Sequence, residues 1–188
     1  MRLSAPRIAP LQDAELTDEQ REALKPMADG GRPVLNIFRT LARAPKALTR
    51  FNEWGSYVLS RRNSLSARER EIVILRVGYL CKSGYEFTQH TRIGLQSGLT
   101  ETEIANLKKG ADAGWAPADA ALIRAADELV KDHFVSDATW AALSSHFDEK
   151  QRMDVVFTAG QYTQVSMFLN TFGVQLDAGQ TLDPDLRA

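Results

Sequence analysis

The sequence predicts an all-α protein, a helical bundle, on three observations. A short oxygen-bearing side chain stands three residues before a longer one at Thr17 and Gln20, Ser66 and Glu69, Thr100 and Glu103, and Asp148 and Gln151. Each pair is a capping box, in which two side chains reciprocally satisfy backbone donors that the first helical turn leaves unpaired. Gly98 follows the segment from Ser83 to Ser97 and Gly110 follows Thr100 to Lys109, where a left-handed residue ends a helix. The third observation is that no run shows the period-two alternation of a strand.

Taken in order, the first helix is expected near 17–28, opened by Thr17 and closed before the break at Gly30-Gly31-Arg32-Pro33. Helices near 34–43 and 46–61 follow, then one near 66–81 opened by Ser66 and one near 84–97 closed by Gly98. A helix near 100–109 runs from the Thr100 box to Gly110, and the stretch from Gly110 to Pro117 is a second break. Helices near 117–133, 137–146 and 149–175 complete the chain, the last opened by Asp148. Neither break separates two regimes of composition. The expected organisation is an N-terminal arm over 1–33 with a short helix, one helical domain over 34–177, and a polar tail over 178–188, frayed or docked on a neighbour.

A chain of 188 residues with 44% apolar and 25% charged residues has the composition of a globular domain. With 23 Lys and Arg against 24 Asp and Glu, it has no excess of positive charge to displace counterions, so no nucleic acid is expected as a partner. The opening MRLSAPRIAPLQDAEL lacks the apolar core of a signal peptide, and Ile72 to Cys81 is too short for a membrane span and is interrupted by Arg76. The expectation is a soluble, cytoplasmic protein without a membrane partner. Cys81 is the single cysteine, so an intrachain disulfide is excluded and the usual cysteine-rich zinc sites are absent.

Two helices carry the chemistry. Residues 69–80 are apolar in nearly every direction after the first turn, as in a helix buried on most sides, with Glu71 at the edge of the run. Glu71, Leu75 and Gly78 share a face, and Gly78 lets a backbone or a ligand approach closely. A carboxylate there needs a partner or a proton. In the next helix Glu86 and His90, four apart, are neighbours on one face. Arg76 lies about 140° around the helix from Glu71 and does not share its face. His133 and His146 flank a turn and read as structural or solvated, and neither HExxH nor short metal-ligand spacing occurs, so no metal is expected. No phosphate-binding glycine loop and no GxSxG elbow is present, and no cofactor is expected.

The residues Glu71, Ser83, Glu86, His90, Gly94, Gly98-Leu99-Thr100 and Glu103-Ile104 together resemble the carboxymuconolactone decarboxylase and alkylhydroperoxidase D-like superfamily. In its peroxidase branch a glutamate precedes the first cysteine of a CxxC by twelve residues, and a histidine follows the second by four. This sequence keeps the register with Ser83 and Glu86 in place of the thiols. The resemblance extends from Ile37-Phe38-Arg39-Thr40-Leu41 to Gly160-Gln161-Tyr162-Thr163 and Asn170-Thr171-Phe172-Gly173. It is similar to a subgroup with Tyr-Glu-aromatic and a histidine four after the glutamate. The decarboxylase branch likewise has Glu-x-x-x-His, with a late asparagine to which Asn170 corresponds.

The resemblance implies an alkylhydroperoxidase D-like bundle assembled as a homo-oligomer, a trimer or hexamer, with the site near a subunit interface. A dithiol peroxidase attacks with one thiolate and resolves with a second thiol, which this chain lacks. What remains is acid-base chemistry on a small carboxylated or lactone substrate. His90 is the expected proton carrier, Glu71 orients its ring, and Glu86 is a second proton carrier or a hook for substrate. Ser83, Tyr162 and Asn170 are expected to bind substrate. Two alternatives stand beside this reading: a peroxidase-like activity in which Cys81 works with an outside thiol, and a non-catalytic oligomer that binds a small ligand.

Overall fold

All four capping boxes form as hydrogen bonds in the computed structural model, which describes residues 3–28, 31 and 33–187. Thr17 opens α1 (Asp18–Ala28), its N–H donating to Gln20 Oε1 at 2.9 Å while the Gln20 N–H donates back to Thr17 Oγ1 at 3.3 Å. Ser66, Thr100 and Asp148 open α4 (Ala67–Leu80), α6 (Glu101–Lys109) and α9 (Glu149–Phe172) in the same way. The remaining helices are α2 (Asn36–Leu41), α3 (Pro45–Leu59), α5 (Gly84–Gln96), α7 (Pro117–Lys131) and α8 (Asp137–Ser144). Among the described residues there is no strand, so the fold is all-α.

Several helices are shorter than their periodicity suggests, each for a local reason. α2 gives way to a turn at Ala42 to Ala44, because the residue before Pro45 is kept out of the helical region. α7 stops at Lys131, and His133 takes φ 58 to redirect the chain. α9 ends at Phe172 and not near 175, because Gly173 adopts φ 70 and the N–H groups of Gly173 and Val174 both turn back to the Leu169 carbonyl. Between α4 and α5 the reversal is made by Lys82 at φ 53. In the expected first break Gly31 has φ 70, and Gly30 and Arg32 lie outside the described residues.

α4 is the axis of the bundle. Ile72, Val73, Ile74, Leu75 and Val77 are fully buried, and the helix packs on α5, α6, α7 and α9. Arg76 leaves the Glu71 side, its guanidinium bonding to Asp127 and to the carbonyls of Leu107 and Lys108. A second, smaller cluster joins Leu11 and Leu24 to Ala42 and Leu48. It fastens the N-terminal segment and α1 onto α2 and α3, so that segment contributes to the interior.

The tail differs from the sequence expectation, since residues 177–186 dock on their own chain. Asp177 accepts from the Asn36 N–H at 2.8 Å, Tyr85 Oη at 2.5 Å and Gln89 Nε2 at 2.7 Å, Lys108 pairs with Asp183 and Asp185, and Leu186 is buried. Carboxylates that collect several donors fix a segment that has few apolar groups of its own. Among the described residues no helix is long and apolar enough to cross a membrane.

Candidate active site

α4 and α5 lie side by side in opposite directions, Glu71 meeting His90 and Gly94 while Gly78 meets Glu86. The two glycines permit this closeness. A Cβ at Gly94 would stand 3.1 Å from side-chain carbons of Leu75 and Leu99, and one at Gly78 would stand 2.9 Å from Glu86 Oε1. The space at Gly78 therefore takes a carboxyl group, not the backbone or ligand that its spacing suggested.

Glu71, 2% exposed, accepts a hydrogen bond from His90 Nδ1 at 2.8 Å. The proton on Nδ1 leaves Nε2 as the ring nitrogen for other work. α9 completes the group: Tyr162 sets its ring edge-to-face on His90, centroids 4.8 Å apart, and Ser166 Oγ donates to Glu86 Oε2 at 3.0 Å. Burial, reinforced by the nearby Glu71 charge and only partly offset by Ser166, pushes the Glu86 carboxyl well above the usual carboxylate range. Burial and the same two acids likewise raise Tyr162, which stays a phenol. The site thus holds a neutral acid and an imidazole backed by a second acid, the separation of roles that proton transfer requires.

His90, Glu86 and Tyr162 open onto a cavity of about 400 Å³. Its walls are largely apolar, with Ile37 and Phe38 of α2, Phe51 and Leu59 of α3, and Val165 and Leu169 of α9. α1 closes one side with Pro26 and Met27, and Arg92 stands exposed at the margin. A larger cavity of about 580 Å³ shares Phe51 and Gln161 with this one but has no acid-base set, its charged lining being Arg43 and Arg50.

Of the residues singled out in the sequence, Glu71, Glu86, His90 and Tyr162 come together. Ser83 is fully buried beside the helix reversal and does not line the cavity. Asn170 donates to the Cys81 carbonyl at 2.9 Å, which ties α9 to the end of α4 and leaves its amide off the cavity wall. Cys81 is also absent from that wall, and His133 and His146 lie elsewhere. Among the described residues no three His, Cys, Asp or Glu side chains are grouped to hold a metal ion. Periodicity gave no signal for Gln161, Gln89 or Met27, which reach the cavity through tertiary packing from three helices.

Residues 45–128 match the model of the carboxymuconolactone decarboxylase family. No curated protein matches the chain. Among solved structures, the chain is similar to an uncharacterized peroxidase-related protein with an alkylhydroperoxidase AhpD core from Ralstonia eutropha JMP134. That match has TM-score 0.78 and 21% identity, covering 91% of this chain and 93% of that one. An uncharacterized peroxidase-related protein from Silicibacter sp. TM1040 matches with TM-score 0.77 and 16% identity over 94% of this chain and 92% of that one. The debrominase Bmp8 in complex with 2,3,4-tribromopyrrole matches with TM-score 0.72 and 10% identity over 93% and 94%. Residues 45–128 of the chain are thus similar to the carboxymuconolactone decarboxylase family, and its fold, shared across most of its length, is that of the AhpD-core structures.

Proposed function

We propose that this protein is a metal-free acid-base enzyme that performs decarboxylation or proton transfer on a small carboxylated or lactone substrate. The observation that carries the reading is the 2.8 Å bond from His90 Nδ1 to buried Glu71, which turns an imidazole toward a cavity whose wall also carries Glu86, its carboxyl pushed up by burial. In the decarboxylation, the electron pair of the breaking carbon–carbon bond enters a conjugated carbonyl as carbon dioxide leaves, and the resulting enolate carbon takes a proton from His90. In the transfer reaction His90 Nε2 first removes a proton from the carbon beside the carbonyl. Glu71 supports the imidazolium in both, and Glu86 supplies a proton or a hydrogen bond to the oxygen on which charge develops.

Supporting the reading over a thiol cycle is the position of Cys81, which is the single cysteine and is not on the cavity wall. Cys81→Ser is expected to retain turnover. A homo-oligomer is part of the proposal, supported by an exposed apolar stripe on α9. The site is tested by screening carboxylated lactones and conjugated carbonyl acids for carbon dioxide release or solvent deuterium incorporation at carbon. His90→Gln is expected to keep the fold and lose a factor of about 10²–10⁴ in the chemical step. Glu71→Gln is expected to lose less, since a titratable ring remains. Wild-type turnover by His90→Gln removes the mechanism, and tight ligand binding without exchange in the wild type favours a binding protein.

A further inference from the structure

α5 lines the cavity with Tyr85, Glu86, Gln89, His90, Arg92 and Ile93. On a helix of 3.6 residues per turn these six fall within an arc of about 160°, with His90 at one edge and Arg92 at the other. The two edges differ in burial and in charge. His90 and Glu86 are 7% and 2% exposed, whereas Arg92 is exposed at the mouth. Among the described residues that line the cavity, Glu86 is the one carboxylic acid and Arg92 the one permanent cation.

The Arg92 guanidinium is also uncommitted. Arg68 and Arg76 bond to Asp119 and Asp127, and Arg70, which acts on Tyr162 from α4 without lining the cavity, donates to the Leu65 carbonyl at 2.7 Å. Arg92 has no hydrogen-bond or ion-pair partner among the described residues. A free guanidinium at the rim of an apolar cavity suits a ligand carboxylate, because its planar fork gives two parallel N–H bonds while water still reaches the pair and limits the cost of desolvation. The buried end suits an anion less, since the Nδ1 proton of His90 is already committed to Glu71 and a second acid, Glu86, stands beside it. Acid inside, cation outside and apolar side chains between them give the cavity a direction.

We propose that Arg92 is the carboxylate anchor of this cavity, holding a flat aromatic or conjugated acid by its carboxylate at the mouth, with the apolar body against Phe38 and Phe51 and the far end at His90. Arg92 is then a specificity residue that sets which end of the substrate enters first. A helix with its side chains is about 10–12 Å across, so groups leaving the two edges of one face end on the order of 10 Å apart. The anchored carboxylate is therefore a handle and not the reacting group. The inference rests on the acid-base reading for what happens at the His90 end, and it narrows the substrate to elongated acids. The carbon that exchanges its proton, or the carboxyl that is lost, lies at the end of the molecule opposite the handle.

The test uses 2-naphthoate as an elongated anionic probe and 2-naphthamide as its nearly isosteric neutral counterpart, titrated calorimetrically into the full-length protein at pH 7. The His90 ring and Arg92 Nε–H resonances are followed by NMR to place both ends of the probe. The expected result is saturable binding of 2-naphthoate, about tenfold tighter than the amide, that shifts both sets of signals. Arg92→Gln is expected to bring the anion down to within about twofold of the amide, and Arg92→Lys, which keeps the charge but loses the fork, to retain part of the preference. Arg92 is exposed, so neither substitution disturbs the core, and circular dichroism verifies the fold. Arg70→Gln is expected to leave the preference in place. Equal binding of the two probes, a preference that survives Arg92→Gln or is removed by Arg70→Gln, or no response at His90 would each overturn the proposal. None of these readings depends on turnover. Failure of the acid-base mechanism shows instead in undiminished turnover by His90→Gln, whether or not the anchor is found.

Discussion

Glu86 ties the stability of the protein to pH in a direction opposite to that of most buried acids in ion pairs. Its carboxyl is raised by burial and by Glu71, so above about pH 4.5 the unfolded chain releases a proton that the folded chain retains. Its contribution is therefore complete below that pH and is lost as pH rises toward the folded value. Glu86→Gln is expected to flatten the fall in urea midpoint between about pH 5 and pH 8, and an unchanged slope would show that Glu86 is not held neutral. Asp154 works the other way. Burial pushes it up, but Lys150 Nζ at 2.8 Å, Ser64 at 2.6 and 2.7 Å and Tyr57 Oη at 2.7 Å outweigh this and hold it down to about 2. Its stabilisation is present above the unfolded value of 3.8 and is lost as pH falls toward 2. Asp154→Asn is expected to be less stable than the wild type at neutral pH and to show a shallower acid limb, followed by circular dichroism.

At the scale of elements, helix starts were legible because a capping box is a local contract between residues three apart, and all four formed. Helix ends were less so. Gly173 looked like one more residue of a long apolar pattern, yet its Cβ would fall 2.9 Å from the Ala5 carbonyl oxygen, a constraint set by a segment 168 residues earlier in the chain. Gly173→Ala combines that clash with a left-handed backbone. It is expected to cost at least about 1–2 kcal/mol in chemical unfolding, and a neutral result would mean that the N-terminal segment is not seated there. The same distinction governs the site. Glu71, Glu86 and His90 sit at spacings visible along two consecutive helices, whereas Gln161 reaches them only because α9 crosses back over the α4–α5 pair. Ser83 and Asn170 have polar side chains in register, but local packing turns one into the helix reversal and the other onto a backbone carbonyl.

For the whole molecule, Met153, Val156, Gly160, Gln164 and Met167 fall within an arc of about 80° on α9, exposed along its length and continuing through Phe157 to Trp54 on α3. Met153, Val156, Met167 and Trp54 are between 36% and 59% exposed, a contiguous apolar surface of the kind that subunits bury against one another. Sedimentation at micromolar concentration is expected to give a multiple of 20.9 kDa, and Met167→Glu is expected to shift it toward the monomer. A wild-type monomer would remove the assembly from the proposal. The enclosure of α4 on all sides has a temporal consequence as well. Its amides, Glu71 included, can exchange with deuterated solvent only when the whole bundle opens, while α1, resting on the small cluster around Leu24, can exchange through local release. Deuterium uptake should thus be slowest where the histidine is anchored and fastest at the Pro26 and Met27 side of the cavity. The proton-handling groups would then keep their spacing on the timescale in which molecules come and go.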